Sequence, residues 1–156
     1  MEPVHVTELN HAVLYVRDVP AAVDFYRDVL GFQVVDEMPD RAAFLRAGGS
    51  SNHHDLGLIG VGASAPRPPH GATGLYHLAW RVGSIHELVR ARDVLASAGA
   101  LRGQSDHGVS KSLYAADPDG NEFEVMYLLD EDEWGEYATR AVVQPLDLES
   151  EVSRRS

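Results

Sequence analysis

The sequence predicts an α+β fold in which two βαβββ modules form one open, cup-shaped mixed β-sheet barrel with its helices outside. The first observation is a repeat: aligning His11 with His77, an offset of 66 residues, also aligns Val16 with Val82. The second is that each histidine opens a short alternating strand that is followed by an amphipathic helix. The third is a Pro/Gly-rich segment, GASAPRPPHGATG, between the two copies.

The first module, at about residues 7–63, begins with the strand HAVLYV and continues with the helix VPAAVDFYRDVL. Val19, Val23 and Tyr26 share one face of this helix, and Gly31 is typical of a helix end. Three further short runs, FQVVDEM, AAFLRAG and HDLGLIGV, have the pattern of strands. The predicted order of this module is therefore βαβββ.

The second module, at about residues 75–128, follows a connector at about 64–74. It offers the strand YHLAWRV, a helix from about Ser84 to a stop at Gly99, and later strands near KSLYAAD and NEFEVMYL. An acidic tail at about 129–156 contains DEDEWGE, and its last few residues are expected to be disordered. The whole chain, residues 1–156, is predicted to be a single domain.

Composition narrows the possible partners. The 156 residues carry 13 Lys plus Arg against 24 Asp plus Glu, a net charge of -11, which argues against binding to nucleic acid or to an anionic membrane. No apolar run is long enough to span a bilayer and no signal peptide is evident, so we expect a cytoplasmic protein. Because the chain has no cysteine, any metal must be held by His, Asp, Glu or backbone oxygens.

Strand alternation predicts which polar side chains face the inside of the cup. His11 shares a face with Val13 and Tyr15, and His77 occupies the same place in the second module. In NEFEVMY, the same rule turns Glu122 and Glu124 to the concave face.

The repeat adds one more polar residue to this face. His54 lies in the predicted last strand of the first module, at the position that Glu124 holds in the second. Pseudo-symmetry therefore predicts that His11, His54, His77 and Glu124 converge. Two imidazoles and one carboxylate on one side of an ion form the facial triad expected for Fe(II), which Mn(II), Ni(II), Co(II) or Zn(II) also accepts.

Three segments, LNHAVLYVRDVPAAVDFYRDVLGF, LYHLAWRV and LYAADPDGNEFEV, resemble the vicinal oxygen chelate superfamily. This superfamily includes glyoxalase I, fosfomycin and bleomycin resistance proteins, certain epimerases and type I extradiol dioxygenases, and the resemblance covers about residues 7–128. It implies metal ligands at His11, His77 and Glu124. The motif Gly120-Asn121-x-x-Glu124 favours Glu124 over Glu122 as the ligand.

Within the superfamily, the sequence is most similar to the catalytic domain of the extradiol dioxygenases. His54 in HDLGL matches a proton-transfer histidine of these enzymes, Tyr114 matches a substrate-contacting tyrosine ten residues before the ligand Glu124, and His107 resembles a loop histidine. The resemblance implies that Fe(II) takes a catecholate and O2, that His54 moves a proton, and that Tyr114 and His107 hydrogen-bond the developing oxyanions.

Two alternatives stay open at the level of sequence. If His54 is a fourth metal ligand, the site resembles a glyoxalase or an epimerase, a metal-dependent lyase or isomerase. The second alternative is a non-catalytic resistance protein that sequesters a small molecule in an apolar cup. The expected partners are a small aromatic diol and O2, and a homodimer is the expected assembly.

Overall fold

The computed structural model describes residues 3–69 and 71–155, and the chain divides into two compact units between Arg67 and Pro68. Each unit contains one four-stranded mixed sheet and at least one helix, as the predicted α+β class requires. Both sheets are open rather than closed barrels. The predicted connector at about 64–74 includes His70, which lies outside the described residues.

The first unit contains, in chain order, β1 (Ala12–Val16), α1 (Val19–Asp28), β2 (Gln33–Met38), β3 (Ala42–Arg46) and β4 (Leu56–Gly60). The strands are arranged in the order β1-β4-β3-β2, with β1 parallel to β4 and the other pairs antiparallel. The predicted βαβββ order is confirmed.

Local signals explain why α1 begins and ends where it does. The Asp18 side chain accepts a hydrogen bond from the Ala21 backbone N–H at 2.9 Å, which caps the helix. Gly31 has a φ of 71°, a left-handed conformation that glycine adopts without the steric cost of a Cβ. Val23 and Tyr26 are buried, so the predicted inward face is confirmed.

The second unit contains β5 (Leu78–Arg81), α2 (Ile85–Ser97), β6 (Leu101–Asp106), β7 (Ser110–Ala116) and β8 (Glu122–Leu128). Their order in the sheet is β5-β8-β7-β6, with β5 parallel to β8, so both units follow one topology. Ser84 caps α2 by accepting from the Glu87 N–H at 3.1 Å, and Gly99 follows the helix with a φ of 66°.

The end of the chain differs from the expectation of disorder. Two 3₁₀ segments, Glu131–Glu133 and Gly135–Thr139, precede a third helix, α3 (Leu148–Arg155). Leu148 is fully buried, and Glu151, which is 3% exposed, accepts a hydrogen bond from Arg155 at 2.7 Å. The expectation was wrong because the isolated tail sequence is acidic and polar, whereas burial of Leu148 and ion pairing of Glu151 stabilise it in the folded unit.

A membrane-spanning helix was not expected from the sequence. Across residues 3–69 and 71–155, none of the helices combines the length and the apolar character needed to cross a bilayer.

Candidate active site

The first unit brings two of the predicted histidines together. His11 directly precedes β1, and its ring centroid lies 4.5 Å from that of His54. In β1, Tyr15 is 72% exposed whereas Val16 is fully buried, so the predicted alternation of faces is confirmed. His11 thus stands at the start of a strand whose opposite face packs into the core.

His54 lies in a loop and not in the strand where the sequence predicts it. The strand β4 starts at Leu56, and His54 precedes it by two residues. The neighbouring His53 lies against His54, with 3.1 Å between the two Nδ1 atoms. Asp55 joins the end of this loop to the sheet, because its backbone N–H donates to the Leu45 carbonyl and its own carbonyl accepts from the Ala12 N–H.

The carboxylate of Asp55 organises this loop. It is 8% exposed and accepts hydrogen bonds from the Ala47 N–H, the Ser50 hydroxyl and the Asn52 amide, each at 2.8 Å. Burial by itself raises the pKa of Asp55, but these donors, with the charge of Arg46, lower it overall. The ionised Asp55 therefore fixes the loop that carries His54.

The environment of His54 favours its neutral form. Burial is the largest cause of a lowered pKa, and the neighbouring His11 and His53 lower it further, while Asp55 opposes them. A neutral imidazole can accept a proton or bind a metal ion, so the local electrostatics suit either role predicted for His54.

The second unit places a histidine and a carboxylate in contact. His77 Nε2 lies 3.2 Å from Glu124 Oε2, because β5 and β8 are paired in parallel with Ala79 opposite Glu124. His77 Nδ1 lies 3.5 Å from Glu122 Oε1 and has no hydrogen-bond partner within the described residues. His77 therefore sits between two carboxylates with both ring nitrogens turned toward oxygen.

Glu124 is the better protected of the two carboxylates. Its side chain is 12% exposed against 32% for Glu122, while Phe123 and Val125 are buried on the opposite face of β8, as predicted. The turn before β8 is held by Asp117, which accepts from the N–H groups of two residues and from the Asn121 side chain. This turn fixes where β8 starts and hence which face receives Glu124.

His107 and Tyr114 form one hydrogen-bonded pair in the second unit. His107 Nε2 lies 2.7 Å from the Tyr114 hydroxyl, and His107 Nδ1 lies 2.9 Å from the backbone carbonyl of Val142. Tyr114 is adjacent to Glu124 across β7 and β8, and its ring centroid lies 5.8 Å from that of His77. His77, Glu124, Tyr114 and His107 therefore form one continuous cluster.

Burial raises the pKa of the Tyr114 phenol, and the nearby Glu124, Tyr76 and Glu122 raise it further. Tyr114 is consequently a neutral hydroxyl at physiological pH. It carries one proton to donate and two lone pairs with which to accept.

The His77–Glu124 pair fits a divalent metal ion. Two ligand atoms about 2.1 Å from an ion at a right angle are separated by roughly 3.0 Å, close to the observed 3.2 Å. Among residues 3–69 and 71–155, however, the structure contains no group of three or more His, Asp or Glu side chains close enough to hold a metal. The addition of His11 to this pair remains a prediction.

Comparison with known proteins identifies the family to which this chain belongs. The fold resembles that of a glyoxalase/dioxygenase crystal structure from Nostoc punctiforme, with a TM-score of 0.68 over 83% of this chain and 99% of that one, at 22% identity. Residues 8–125 match the family described as Glyoxalase/Bleomycin resistance protein/Dioxygenase superfamily. The chain belongs to this superfamily, which confirms the resemblance seen in the sequence.

Two curated relatives are more similar in sequence. The chain is 38% identical over 120 residues to Catechol-2,3-dioxygenase of Bacillus subtilis (strain 168), an alignment that covers 76% of this chain and 41% of the relative. It is 36% identical over 119 residues to Biphenyl-2,3-diol 1,2-dioxygenase 3 of Rhodococcus globerulus, covering 75% and 61%. The chain thus spans only about half the length of these relatives.

Sequence reasoning missed two groups near the candidate site. Asp55 had a detectable signal, because an Asp that follows a Ser/Asn-rich loop and precedes an apolar strand is a common loop organiser. The Val142 carbonyl had none, since a backbone group that contacts a residue 35 positions away has no signature in the sequence.

Proposed function

We propose that the protein is an extradiol ring-cleaving dioxygenase that acts on a catechol-type aromatic with O2. The observation that carries this proposal is the His77–Glu124 pair, whose 3.2 Å separation suits two ligands of one ion and which adjoins Tyr114 and His107. The names of the curated relatives support the choice of reaction within the superfamily.

The proposed metal site consists of His11, His77 and Glu124, and Fe(II) is the proposed ion, with Mn(II), Ni(II), Co(II) or Zn(II) as alternatives. When bound, a divalent metal supplies a template that holds the two oxygens of the diol and O2 next to each other. The low exposure of the Glu124 side chain, 12%, and the 3.2 Å between its Oε2 and His77 Nε2 are the structural features that fit this group.

The protein's own side chains handle protons and orientation. His54 accepts a phenolic proton of the substrate, a role that its lowered pKa supports because the imidazole is neutral at pH 7. Tyr114 hydrogen-bonds a substrate oxygen and so fixes the orientation of the ring, and His107, whose two ring nitrogens contact Tyr114 and the Val142 carbonyl, holds the Tyr114 hydroxyl in place. Positioned acid–base groups of this kind contribute about 10²- to 10⁴-fold to a rate.

One observation favours a second candidate function. The 4.5 Å between the rings of His11 and His54 is short enough for both imidazoles to reach one ion. Under that arrangement His54 is a fourth ligand, and the protein is a metal-dependent lyase or isomerase of the glyoxalase or epimerase kind. A non-catalytic resistance protein has no use for the His77–Glu124 pair.

The first experiment measures metal binding and ring cleavage together. The protein, purified without chelator, is loaded anaerobically with Fe(II), its metal content is measured, and a series of catechols is screened for O2 uptake. Glu124→Gln should lower metal affinity by at least the 10- to 100-fold typical of changes near a metal ligand. Glu122→Gln, on the same strand and face, is the matched control and should change affinity much less.

His54→Ala separates the two candidate functions. For a dioxygenase, the variant should retain its metal and lose about 10²- to 10⁴-fold in turnover. For a four-ligand isomerase, the same change should weaken metal binding itself. A His54→Ala protein that cannot be loaded with metal would contradict the dioxygenase proposal.

We also propose that the active form is a homodimer. Light scattering coupled to size-exclusion chromatography measures this directly, and a monomer at working concentration would contradict it.

A further inference from the structure

The hydrogen bonds of His107 fix where its proton lies. A backbone carbonyl can only accept, so the 2.9 Å contact between His107 Nδ1 and the Val142 oxygen requires Nδ1 to carry a hydrogen. In the neutral imidazole, Nε2 is then an acceptor, and the 2.7 Å contact with Tyr114 requires the phenol to donate. The hydroxyl proton of Tyr114 is therefore already donated to His107 and is not free for a ligand.

Within the second unit, the segment that contains Val142 is hydrogen-bonded to β6. Asp106 and Gln144 exchange two backbone hydrogen bonds of 2.9 Å, and the Gln104 side chain donates to the Leu146 carbonyl at 2.9 Å. A Cβ added to Gly108 would lie 2.4 Å from the ring of Tyr137, so this ring packs directly on the loop beside His107. The Val142 carbonyl is thus a fixed acceptor.

We propose that the C-terminal segment at 137–146 orients the substrate site from outside, because its Val142 carbonyl holds His107 as the Nδ1–H tautomer and so commits the Tyr114 proton to His107. Tyr114 then offers only lone pairs to a bound diol, and a substrate hydroxyl donates to it. This direction is the reverse of the one expected from sequence, in which Tyr114 donates to an oxyanion.

The inference rests on the proposed function, since it deepens the role of the same site. The inference predicts which protonation state of the substrate binds. The substrate oxygen that faces Tyr114 should be a neutral hydroxyl and not an oxyanion. His107 and the C-terminal segment are positioning elements here, and they act on the substrate through Tyr114.

The test is ¹⁵N NMR of the imidazole nitrogens in the metal-free protein at pH 7.5. The expected spectrum assigns the proton of His107 to Nδ1. A His107 protonated at Nε2 alone, or at both nitrogens, would overturn the inference. Tyr114→Phe should leave the tautomer unchanged because the carbonyl sets it, and a switch to Nε2–H in this variant would also overturn the role of Val142.

A matched pair of variants tests the segment itself. Gln144→Pro removes the backbone N–H that donates to the Asp106 carbonyl, whereas Gln144→Ala keeps it, and the side chain at this position is exposed. Gln144→Pro should give a mixture of His107 tautomers and lower kcat for catechol by about 10-fold or more, as loss of orientation does. Gln144→Ala should behave as the wild type. A single Nδ1–H tautomer in Gln144→Pro would overturn the inference.

Failure of the inference is distinguishable from failure of the proposed function. The expected tautomer in a protein that cleaves no catechol would contradict the dioxygenase proposal and support the assignment of His107. The opposite tautomer in an active dioxygenase would overturn only the inference about the segment.

Discussion

Replacement of Asp55 tests whether one buried carboxylate holds the loop that carries His54. The carboxylate accepts three hydrogen bonds of 2.8 Å, from the Ala47 N–H, the Ser50 hydroxyl and the Asn52 amide. At a net value of about 1 kcal/mol for each, Asp55→Ala should lower the free energy of unfolding by about 3 kcal/mol. Asp55→Asn keeps one acceptor oxygen and should cost about half as much.

The effect of Asp55→Asn should depend on pH. Because the pKa of Asp55 is lowered in the folded protein, its contribution to stability is fully present above its unfolded pKa, about 3.9, and is lost as pH falls through the folded pKa. The difference in unfolding free energy between wild type and variant should therefore be constant above about pH 5 and shrink below about pH 4.

Urea unfolding followed by circular dichroism, at several pH values between 7 and 3, measures this difference. Asp36→Asn, at an exposed position on β2 of the same unit, is the control and should change stability by less than about 0.5 kcal/mol. An Asp55→Asn difference that is equally large at pH 3 and pH 7 would refute the reasoning. If the loop also positions His54, the same variant should lower turnover without lowering metal content.

Three further substitutions test contacts within each unit, and thermal or urea unfolding measures their effect on stability. Lys111→Met removes the buried ammonium that lies 2.6 Å from Asp106 Oδ1 and leaves this carboxylate without its counter-charge, although it keeps the Gly108 N–H as a donor. The change should cost about 3 kcal/mol, and a cost below about 1 kcal/mol would show that the pair is not effectively buried. Gly60→Ala places a Cβ 2.7 Å from the Asp40 carbonyl oxygen and should cost about 1–3 kcal/mol, whereas an unchanged melting temperature would contradict this close approach. Ser84→Ala removes the cap of α2 and should cost about 1 kcal/mol, with Ser84→Asp as the variant that should restore it.

Much of the fold follows from the sequence because its signals are local. The strand period of two determines that Tyr15 faces away from Val16, and the same rule places Glu124 opposite Phe123 and Val125. Helix ends are equally local, since a capping side chain and a left-handed glycine act within a few residues of the chain. The internal repeat strengthens the fold prediction, because both modules carry the same local pattern of strand and helix.

The remaining features depend on contacts between residues far apart in the chain. His54 precedes β4 because Asp55 is bonded to a loop eight residues earlier, which the spacing of apolar residues does not record. The tail forms a helix because Leu148 and Glu151 find buried partners, although the isolated segment is polar. The tautomer of His107 is decided by a backbone carbonyl. The sequence alone thus determined the class of fold and predicted a set of candidate site residues, whereas only the tertiary structure decided the direction of their hydrogen bonds, because that direction depends on which donors and acceptors folding brings within 3 Å.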